Sequence, residues 1–237
     1  MKGARVLVTR AAEEAGEMED LLRARGALLV RMPCIEFEDG PDIPQIVQIV
    51  QNARTDLIVV SSPHAARRLI ALVGNVDIPF AAVGAGTAAL LPGSVVVPKS
   101  GTGADALLAE LAGQVRGKRV LVPRAERGTP ALIDGLNHAG ALVEVLTLYR
   151  TVAPKGADPA VLRRLRDGGI DAITFASGSA VRGFVALAGA GSAARSAVVC
   201  LGGSSAGAAK AAGMRIHSSA ADLSQLCDAV EAALSTR

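Results

Sequence analysis

Hydrophobic positions along this chain fall into two spacings that take turns. Val6-Leu7-Val8 is a short β-rich apolar run and predicts a strand over 5–9. The next residues change to helical spacing, with Ala15, Met18 and Leu22 on one face and Glu13, Glu14 and Glu17 near the start. Gly26 stops that helix, since glycine takes the left-handed conformation that ends helices, and 27–30 predicts a second strand. From Pro33 to Pro41 the helical period is absent and turn residues gather at the end, so 34–39 reads as a linker with a short extended stretch at 34–37.

The same alternation resumes beyond it. Asp42 can cap a helix to about 52, a strand follows at 57–60, and Ser61-Ser62-Pro63 stands where strand becomes helix, with the serine hydroxyls as natural caps. A strand at 81–83, a glycine turn and helix at 84–91, a strand at 95–97 and a helix at 102–112 complete this set. Next come a strand at 119–122, a helix from a Thr129 cap with Pro130 in its first turn to His138, a stop at Gly140 and a strand at 142–146. Residues 147–156 form a second long connector. After it a helix starting at Asp158-Pro159, strands at 171–175, 197–201 and 214–217, and helices at 179–187, 204–212 and 220–234 close the pattern. Strands that alternate with helices in this way predict parallel sheets with helices on both faces.

The pattern is also said twice. Gly117-Lys118-Arg119-Val120-Leu121-Val122-Pro123-Arg124-Ala125 repeats Gly3-Ala4-Arg5-Val6-Leu7-Val8-Thr9-Arg10-Ala11, and the match continues in register to Gly140-Ala141-Leu142 against Gly26-Ala27-Leu28. Asp56 to Arg67 lies over Asp171 to Arg182, and Val83-Gly84-Ala85-Gly86-Thr87-Ala88 over Leu201-Gly202-Gly203-Ser204-Ser205-Ala206. A period this long excludes a solenoid and implies two similar domains, each a five-stranded parallel sheet of flavodoxin-like 2-1-3-4-5 order. The midpoint loop, 114–118, is of ordinary length, whereas the two long connectors would fall inside domains if the halves were the domains. Cutting at the connectors places 40–146 in one lobe and joins 1–33 to 157–237 in the other. The N-terminal βαβ unit is then exchanged, and 34–39 and 147–156 are a two-stranded linker.

Composition narrows the chemistry. Half of the 237 residues are hydrophobic but only 2% are aromatic, so the cores are filled by Val, Leu, Ile and Ala. One Tyr, no Trp and a formal charge of +3 give no stacking platform and no electrostatic footprint for nucleic acid. Cys34, Cys200 and Cys227 have neither disulfide nor zinc spacing, which suits a reducing cytoplasm. The apolar run after Lys2 and Arg5 is far too short for a signal-peptide core, and no charge-free run reaches the ~18 residues of a membrane span.

Several motifs invite chemistry and most dissolve. Gly84-Ala85-Gly86-Thr87-Ala88-Ala89 has the form of a dinucleotide turn, but Val97 is followed by Pro98-Lys99 where the acidic ribose ligand belongs; the plain reading is a glycine turn exposing amides to an anion. Gly203-Ser204-Ser205-Ala206-Gly207 fits a nucleophile elbow, yet His217 precedes Asp222, the wrong order for a hydrolase. His64, His138 and His217 share no metal spacing and read as surface or helix-end residues, so no metal is implied. Arg10 and Arg124 each follow the first strand of a unit at equivalent places. In a 2-1-3-4-5 sheet the ends of strands 1 and 3 flank the switch point where ligands bind, which brings Thr9, Arg10 and Ser177 together in one lobe and Arg124, Ser61 and Ser62 in the other.

Thr9-Arg10 after the first strand, Ser61-Ser62 before a helix, Val83-Gly84-x-Gly86-Thr87-Ala88, Gly140 followed by a strand into Tyr149, Ser177, and Leu201-Gly202-x-x-Ser205-Ala206 together resemble the uroporphyrinogen-III synthase family over nearly the whole chain. Gly203 and Ser205 depart from the proline and threonine usual in the late motif, and Ala176 stands where threonine is common. The resemblance implies a cofactor-free, monomeric cytoplasmic lyase of two α/β lobes. Such an enzyme closes hydroxymethylbilane, a linear tetrapyrrole with eight carboxylates, in a cleft between the lobes, with transient contact with the preceding pathway enzyme and no nucleic-acid or membrane partner. It implies Tyr149 as the catalytic residue and Thr9, Arg10, Ser61, Ser62, Gly86, Thr87, Arg124, Ser177, Ser204 and Ser205 as substrate-binding residues. The rival is a non-enzymatic two-lobed binder of an anionic small molecule, for which Tyr149 is a linker residue packing between lobes.

Overall fold

A computed structural model describes residues 1–101, 103–128 and 130–235. In chain order it contains β1 (Arg5–Val8), α1 (Gly16–Ala24), β2 (Leu28–Arg31), β3 (Glu36–Asp39), α2 (Ile43–Gln51), β4 (Leu57–Val60) and α3 (Pro63–Val73). There follow β5 (Phe80–Ala82), α4 (Ala85–Ala88), β6 (Val95–Val96), α5 (Ala104–Leu111), β7 (Arg119–Ala125), α6 (Ala131–His138) and β8 (Leu142–Val152). The chain closes with α7 (Pro159–Arg166), β9 (Ala172–Phe175), α8 (Gly178–Ala188), β10 (Ala197–Leu201), α9 (Gly202–Ala211), β11 (Ile216–Ala220) and α10 (Leu223–Ser235). None of the described helices is long and apolar enough to cross a membrane.

The strands form two sheets. One has the order β11-β10-β9-β1-β2, the other β3-β8-β7-β4-β5-β6. Contacts divide the chain accordingly into unit 1, residues 1–36 with 152–237, and unit 2, residues 37–151. In unit 1, β1 runs parallel to both β2 and β9, pairing Leu7 with Val30 on one side and with Ile173 on the other. In unit 2, β7 holds the corresponding central place, parallel to β8 and β4.

Apolar residues at successive positions go to opposite faces, the strand period that lets a parallel sheet carry helices on both sides. Val6 and Val8 pack with Met18 and Leu22 of α1 and Leu226 and Val230 of α10, while Leu7 packs with Val181 and Phe184 of α8. In unit 2, Leu57 and Val59 meet Leu107 and Leu136 of α5 and α6, while Ile58 and Val60 meet Ile46 and Leu69 of α2 and α3. Two glycines permit contacts of backbone on backbone. A Cβ on Gly183 would collide with the Cys34 carbonyl oxygen, and one on Gly40 with the Thr147 carbonyl oxygen.

The second sheet departs from the five strands expected of it. Residues 36–39 are strand β3 at its edge, adding a sixth, and 147–152 continue β8 without a break instead of leaving the sheet as a connector. The cause lies in the partners: Arg68 of α3 pairs with Asp39, Arg150 with Glu38 at 3.5 Å, and the Gly40 N–H donates to the Leu148 carbonyl at 3.0 Å. Smaller differences are end effects. The helix expected at 84–91 is only Ala85–Ala88, the strand expected at 214–217 is Ile216–Ala220, and the helix at 220–234 begins at Leu223. The predicted Thr129 cap and the start of a helix at Thr102 lie outside the described residues.

Candidate active site

Parallel strands aim their carboxyl ends, and the amino termini of the helices after them, at one edge of a sheet, where ligands of α/β proteins bind. In unit 2 a cavity of about 300 Å³ lies at that edge, lined by Ser61 and Ser62 after β4, Val83 after β5, Arg124 and Ala125 of β7, Arg127 and Gly128 beyond it, and Tyr149 of β8. Gly103, at φ 95°, and Ala104 supply the start of α5 to the same wall. A larger hollow of about 620 Å³ lies at the opposite edge of the first sheet, around Ser196, Met214, Arg215 and His217 ahead of and at the start of β10 and β11. Its lining is mostly alanine and glycine, and the amino-terminal edge has no converging helix termini, so the unit 2 cavity is the candidate.

Each side chain there has a local cause. Ser62 caps α3: its backbone is extended and its Oγ accepts from the Ala65 N–H at 3.1 Å, with Pro63 in the first turn. Ser61, just before it, is exposed. Arg124 is half-buried; its Nε donates to the Ala125 carbonyl at 3.2 Å and its guanidinium lies where any side chain on Gly128 would stand. Tyr149 owes its place to an irregularity of register. Arg124 pairs with Thr147 but Ala125 with Tyr149, so Leu148 is an extra residue in β8, a bulge that re-aims the residues after it. As a result Leu148 and Tyr149, neighbours that regular pleating would send to opposite faces, both pack in the cluster of α2 and α3. Tyr149 is only 7% exposed.

The expected residues of unit 1 are differently disposed. Thr9 is wholly buried and its Oγ1 donates to the Thr174 carbonyl at 2.6 Å, tying β1 to β9, so its hydroxyl is not offered to a ligand. Arg10 forms an ion pair with Glu14 one turn on, Nε to Oε2 at 3.4 Å. Ser177 caps α8 as Ser62 caps α3, accepting from the Ala180 N–H at 3.1 Å. Ser204 is exposed on α9 and packs over Gly178. Ser205 is not a cap: α9 begins at Gly202, and the buried Ser205 hydroxyl donates back to the carbonyls of Leu201 at 2.7 Å and Gly202 at 3.0 Å. In unit 2, Gly86 is exposed on the four-residue α4, and Thr87 beside it is 3% exposed; neither lines the cavity.

Two residues carry no adequate signal in the sequence. Arg127 is an exposed arginine in a loop, and nothing local marks it except its distance from Arg124. His64 is at a helix start as expected but is 9% exposed and not on the surface; its ring lies 3.8 Å from that of Phe37 and 4.4 Å from that of Tyr149. The cysteines offer no nucleophile. Burial pushes the Cys34 thiol up to about 12 and that of Cys200 to about 11, so both stay protonated at neutral pH.

Fold and site define an α/β protein with arginine and hydroxyl groups gathered at a strand edge. The sequence model described as "Uroporphyrinogen-III synthase HemD" matches residues 3–226, and the chain belongs to the uroporphyrinogen-III synthase family. It is 28% identical over 223 residues to the chloroplastic uroporphyrinogen-III synthase of Oryza sativa subsp. japonica, covering 89% of this chain and 73% of the relative. It is 27% identical over 206 residues to that of Synechococcus elongatus, covering 78% and 75%. Among solved structures it resembles uroporphyrinogen-III synthetase from Helicobacter pylori, with a TM-score of 0.61 at 17% identity over the whole of both chains. A mutant uroporphyrinogen III synthase from the extremely thermophilic bacterium Thermus thermophilus gives 0.60 at 20% identity over 99% and 100%. At those identities the likeness is one of fold. Membership of a family of synthases decides for a cyclising lyase of tetrapyrrole synthesis over a non-enzymatic binder.

Proposed function

We propose that this chain closes hydroxymethylbilane to uroporphyrinogen III, with loss of water and inversion of the last pyrrole ring through a spiro intermediate, and that Tyr149 assists the departure of the hydroxyl. The observation that carries this reading is the shared cavity of Tyr149, Arg124, Ser61 and Ser62. The terminal hydroxyl sits on a carbon attached to an electron-rich pyrrole. As the C–O bond breaks, the ring nitrogen's lone pair fills the vacancy to give an azafulvene, and the leaving oxygen takes a proton and departs as water. The substituted carbon of the last ring then attacks, the spiro centre fragments and recloses, and a ring proton is lost. No covalent bond to the protein is needed, so the absence of an ionisable thiol is no obstacle.

A phenol suits this proton transfer, because with an unperturbed pKa of ~10 it keeps its proton at neutral pH and donates a strong hydrogen bond, help typically worth ~100-fold or more. Arg124 and Arg127 serve the carboxylates of a substituted pyrrole, for which bidentate guanidinium geometry is well matched. Ser61 and Ser62 add hydroxyls and the exposed amides of a helix start. Within unit 1 itself, Arg10, Ser177 and Ser204 are the residues offered to an anion, whereas Thr9, Thr87 and Ser205 are buried and serve the frame of their own units.

This reading keeps the two-lobed, flavodoxin-like organisation with an exchanged N-terminal βαβ unit, 1–33 with 157–237 and 40–146. The pairing of β1 with β9 supports it. It also makes the protein a cytoplasmic monomer in passing contact with the preceding enzyme, a setting that three free, buried thiols suit. The test is Tyr149→Phe, which keeps the ring and deletes the donor. Turnover of hydroxymethylbilane should fall at least ~10-fold with stability nearly intact, and the balance of product should move from isomer III toward the isomer I that forms spontaneously. A Phe variant with full turnover and selectivity would leave Tyr149 a structural residue.

A further inference from the structure

We infer that His64 is a positioning residue for this reaction, holding the Tyr149 ring, together with Phe37, at the wall of the unit 2 cavity. The chain is poor in rings, 2% Phe, Tyr and Trp, yet three rings from three separate elements meet here. Phe37 comes from β3, His64 from the first turn of α3 and Tyr149 from β8. The His64 and Phe37 rings lie 3.8 Å apart at 31°, and the Tyr149 ring meets both edge-on, at 4.4 Å and 67° to His64 and 5.5 Å and 87° to Phe37. Edge-to-face packing fixes the azimuth of a ring, because the positive edge of one seeks the negative face of the other. A phenol clasped on two sides therefore loses the rotation about its side-chain bonds that would swing its oxygen away from a bound substrate.

The repeat supplies a control within the molecule. Unit 1 carries Ser179 where unit 2 has His64, and its ring pair, Phe175 with Phe184 at 5.3 Å, lies between β9 and α8 inside the hydrophobic core. A ring clasp is thus no requirement of this sheet and helix arrangement; it occurs in the unit that carries the tyrosine. His64 is also anchored better than a loop residue could be. Ser62 caps the helix that bears it, and Arg68 one turn further pairs with Asp39 of β3, the strand that bears Phe37. The helix and the edge strand are in this way fastened to each other around the phenol.

The inference rests on the reading that Tyr149 assists departure of the hydroxyl, and a double-mutant cycle separates the two. Purified full-length wild type, His64→Ala, His64→Phe, Tyr149→Phe and the double variant His64→Ala/Tyr149→Phe are compared on hydroxymethylbilane, with kcat and KM determined separately. His64→Ala should lower kcat on the order of tenfold with KM changed less than about twofold, and His64→Phe should recover most of the loss. In the Tyr149→Phe background His64→Ala should cost nothing more, as holds for residues acting as one unit. Because Tyr149 is the only tyrosine and there is no tryptophan, the tyrosine band in near-ultraviolet circular dichroism reports this ring alone. It should weaken in His64→Ala and return in His64→Phe. Independent losses that multiply in the double variant, or a His64→Ala enzyme with wild-type kcat and an unchanged tyrosine band, would overturn the positioning role even where Tyr149→Phe is impaired. Full turnover by Tyr149→Phe would instead defeat the parent reading. Should His64→Ala fail to fold, His64→Phe and His64→Leu decide by the same measures: equal kcat in the ring-bearing and ringless variants overturns the clasp.

Discussion

Arg10 in unit 1 and Arg124 in unit 2 end the same repeated phrase, Arg-Val-Leu-Val-x-Arg, and stand in different chemistry. β1 stops at Val8, so Arg10 lies in a loop and turns to Glu14; β7 runs on to Ala125, so Arg124 is held on a strand beside a cavity. The reason is the neighbouring strand. The β1–β2 pairing ends with Val8 opposite Arg31, whereas β7 stays paired with β8 through Pro123 and Arg124 as far as Ala125 opposite Tyr149. The same contrast reaches the next position in space. Cys34 of unit 1 is sealed over Gly183, while at the corresponding place in unit 2 the bulge at Leu148 delivers Tyr149 to the cavity. A duplicated sequence thus specifies a frame, and the length of one edge sets where the last arginine of the repeated phrase stands.

The sharpest way to break this comparison is at the two glycines. Gly183→Ala sets a methyl against the Cys34 carbonyl and should lower unfolding stability by about 3 kcal/mol or more, visible as a thermal melt several degrees lower. Gly40→Ala sets one against the Thr147 carbonyl beside the bulge and should cost stability and, in the fraction still folded, kcat as well. Equal kcat in the two folded variants would show that the bulge does not place Tyr149.

Next in size is affinity. Arg124→Ala should raise the KM for hydroxymethylbilane about tenfold at low salt, the loss of a charge-assisted hydrogen bond worth roughly 1–2 kcal/mol. Arg10→Ala should raise it less than about threefold, because Glu14 already engages that guanidinium. Equal effects would put the two strand ends on the same footing. The caps come third. Ser62→Ala and Ser177→Ala should each lose about 1 kcal/mol of stability in denaturant titrations and weaken substrate binding, Ser62→Ala more because Ser62 lines the cavity beside Tyr149. Thr9→Val should lower stability alone, since its hydroxyl bonds to Thr174.

The smallest expected effect is on acid stability. The Arg31 side chain, bonding to Glu19 at Nε to Oε1 2.6 Å, and Arg23 at 2.7 Å hold the Glu19 carboxyl below its ordinary range in spite of burial. A depressed folded-state pKa contributes stability above the unfolded value of ~4.3, and that contribution is lost as pH falls through the folded value. Glu19→Gln should flatten the stability profile below about pH 4. Unit 2 has Ile133 at the equivalent place and should contribute nothing of the kind, so an unchanged acid limb in Glu19→Gln would deny this asymmetry.

Much of this protein was already written in its residue order. Runs such as Val6-Leu7-Val8 and Leu57-Ile58-Val59-Val60 state a strand buried on both faces, Gly26 and Gly140 state where helices stop, and Ser62-Pro63 states where one starts, because each is settled by backbone sterics and neighbours within a turn. The repeat, read against the two long connectors, also located the strand ends where Arg124, Ser61 and Ser62 converge. What the chain could not declare locally depends on partners far away in sequence. That residues 36–39 join a sheet is decided by Arg68, Arg150 and the backbone of Leu148. That Thr9 and Ser205 are buried and spend their hydroxyls on carbonyls, while Ser61 is exposed, comes from the packing around each. The register slip at Leu148, and with it the meeting of Phe37, His64 and Tyr149, exists only once β8 has found β7 and β3. Pairing across such separations is governed by the summed packing of whole faces, a quantity no short stretch of sequence contains.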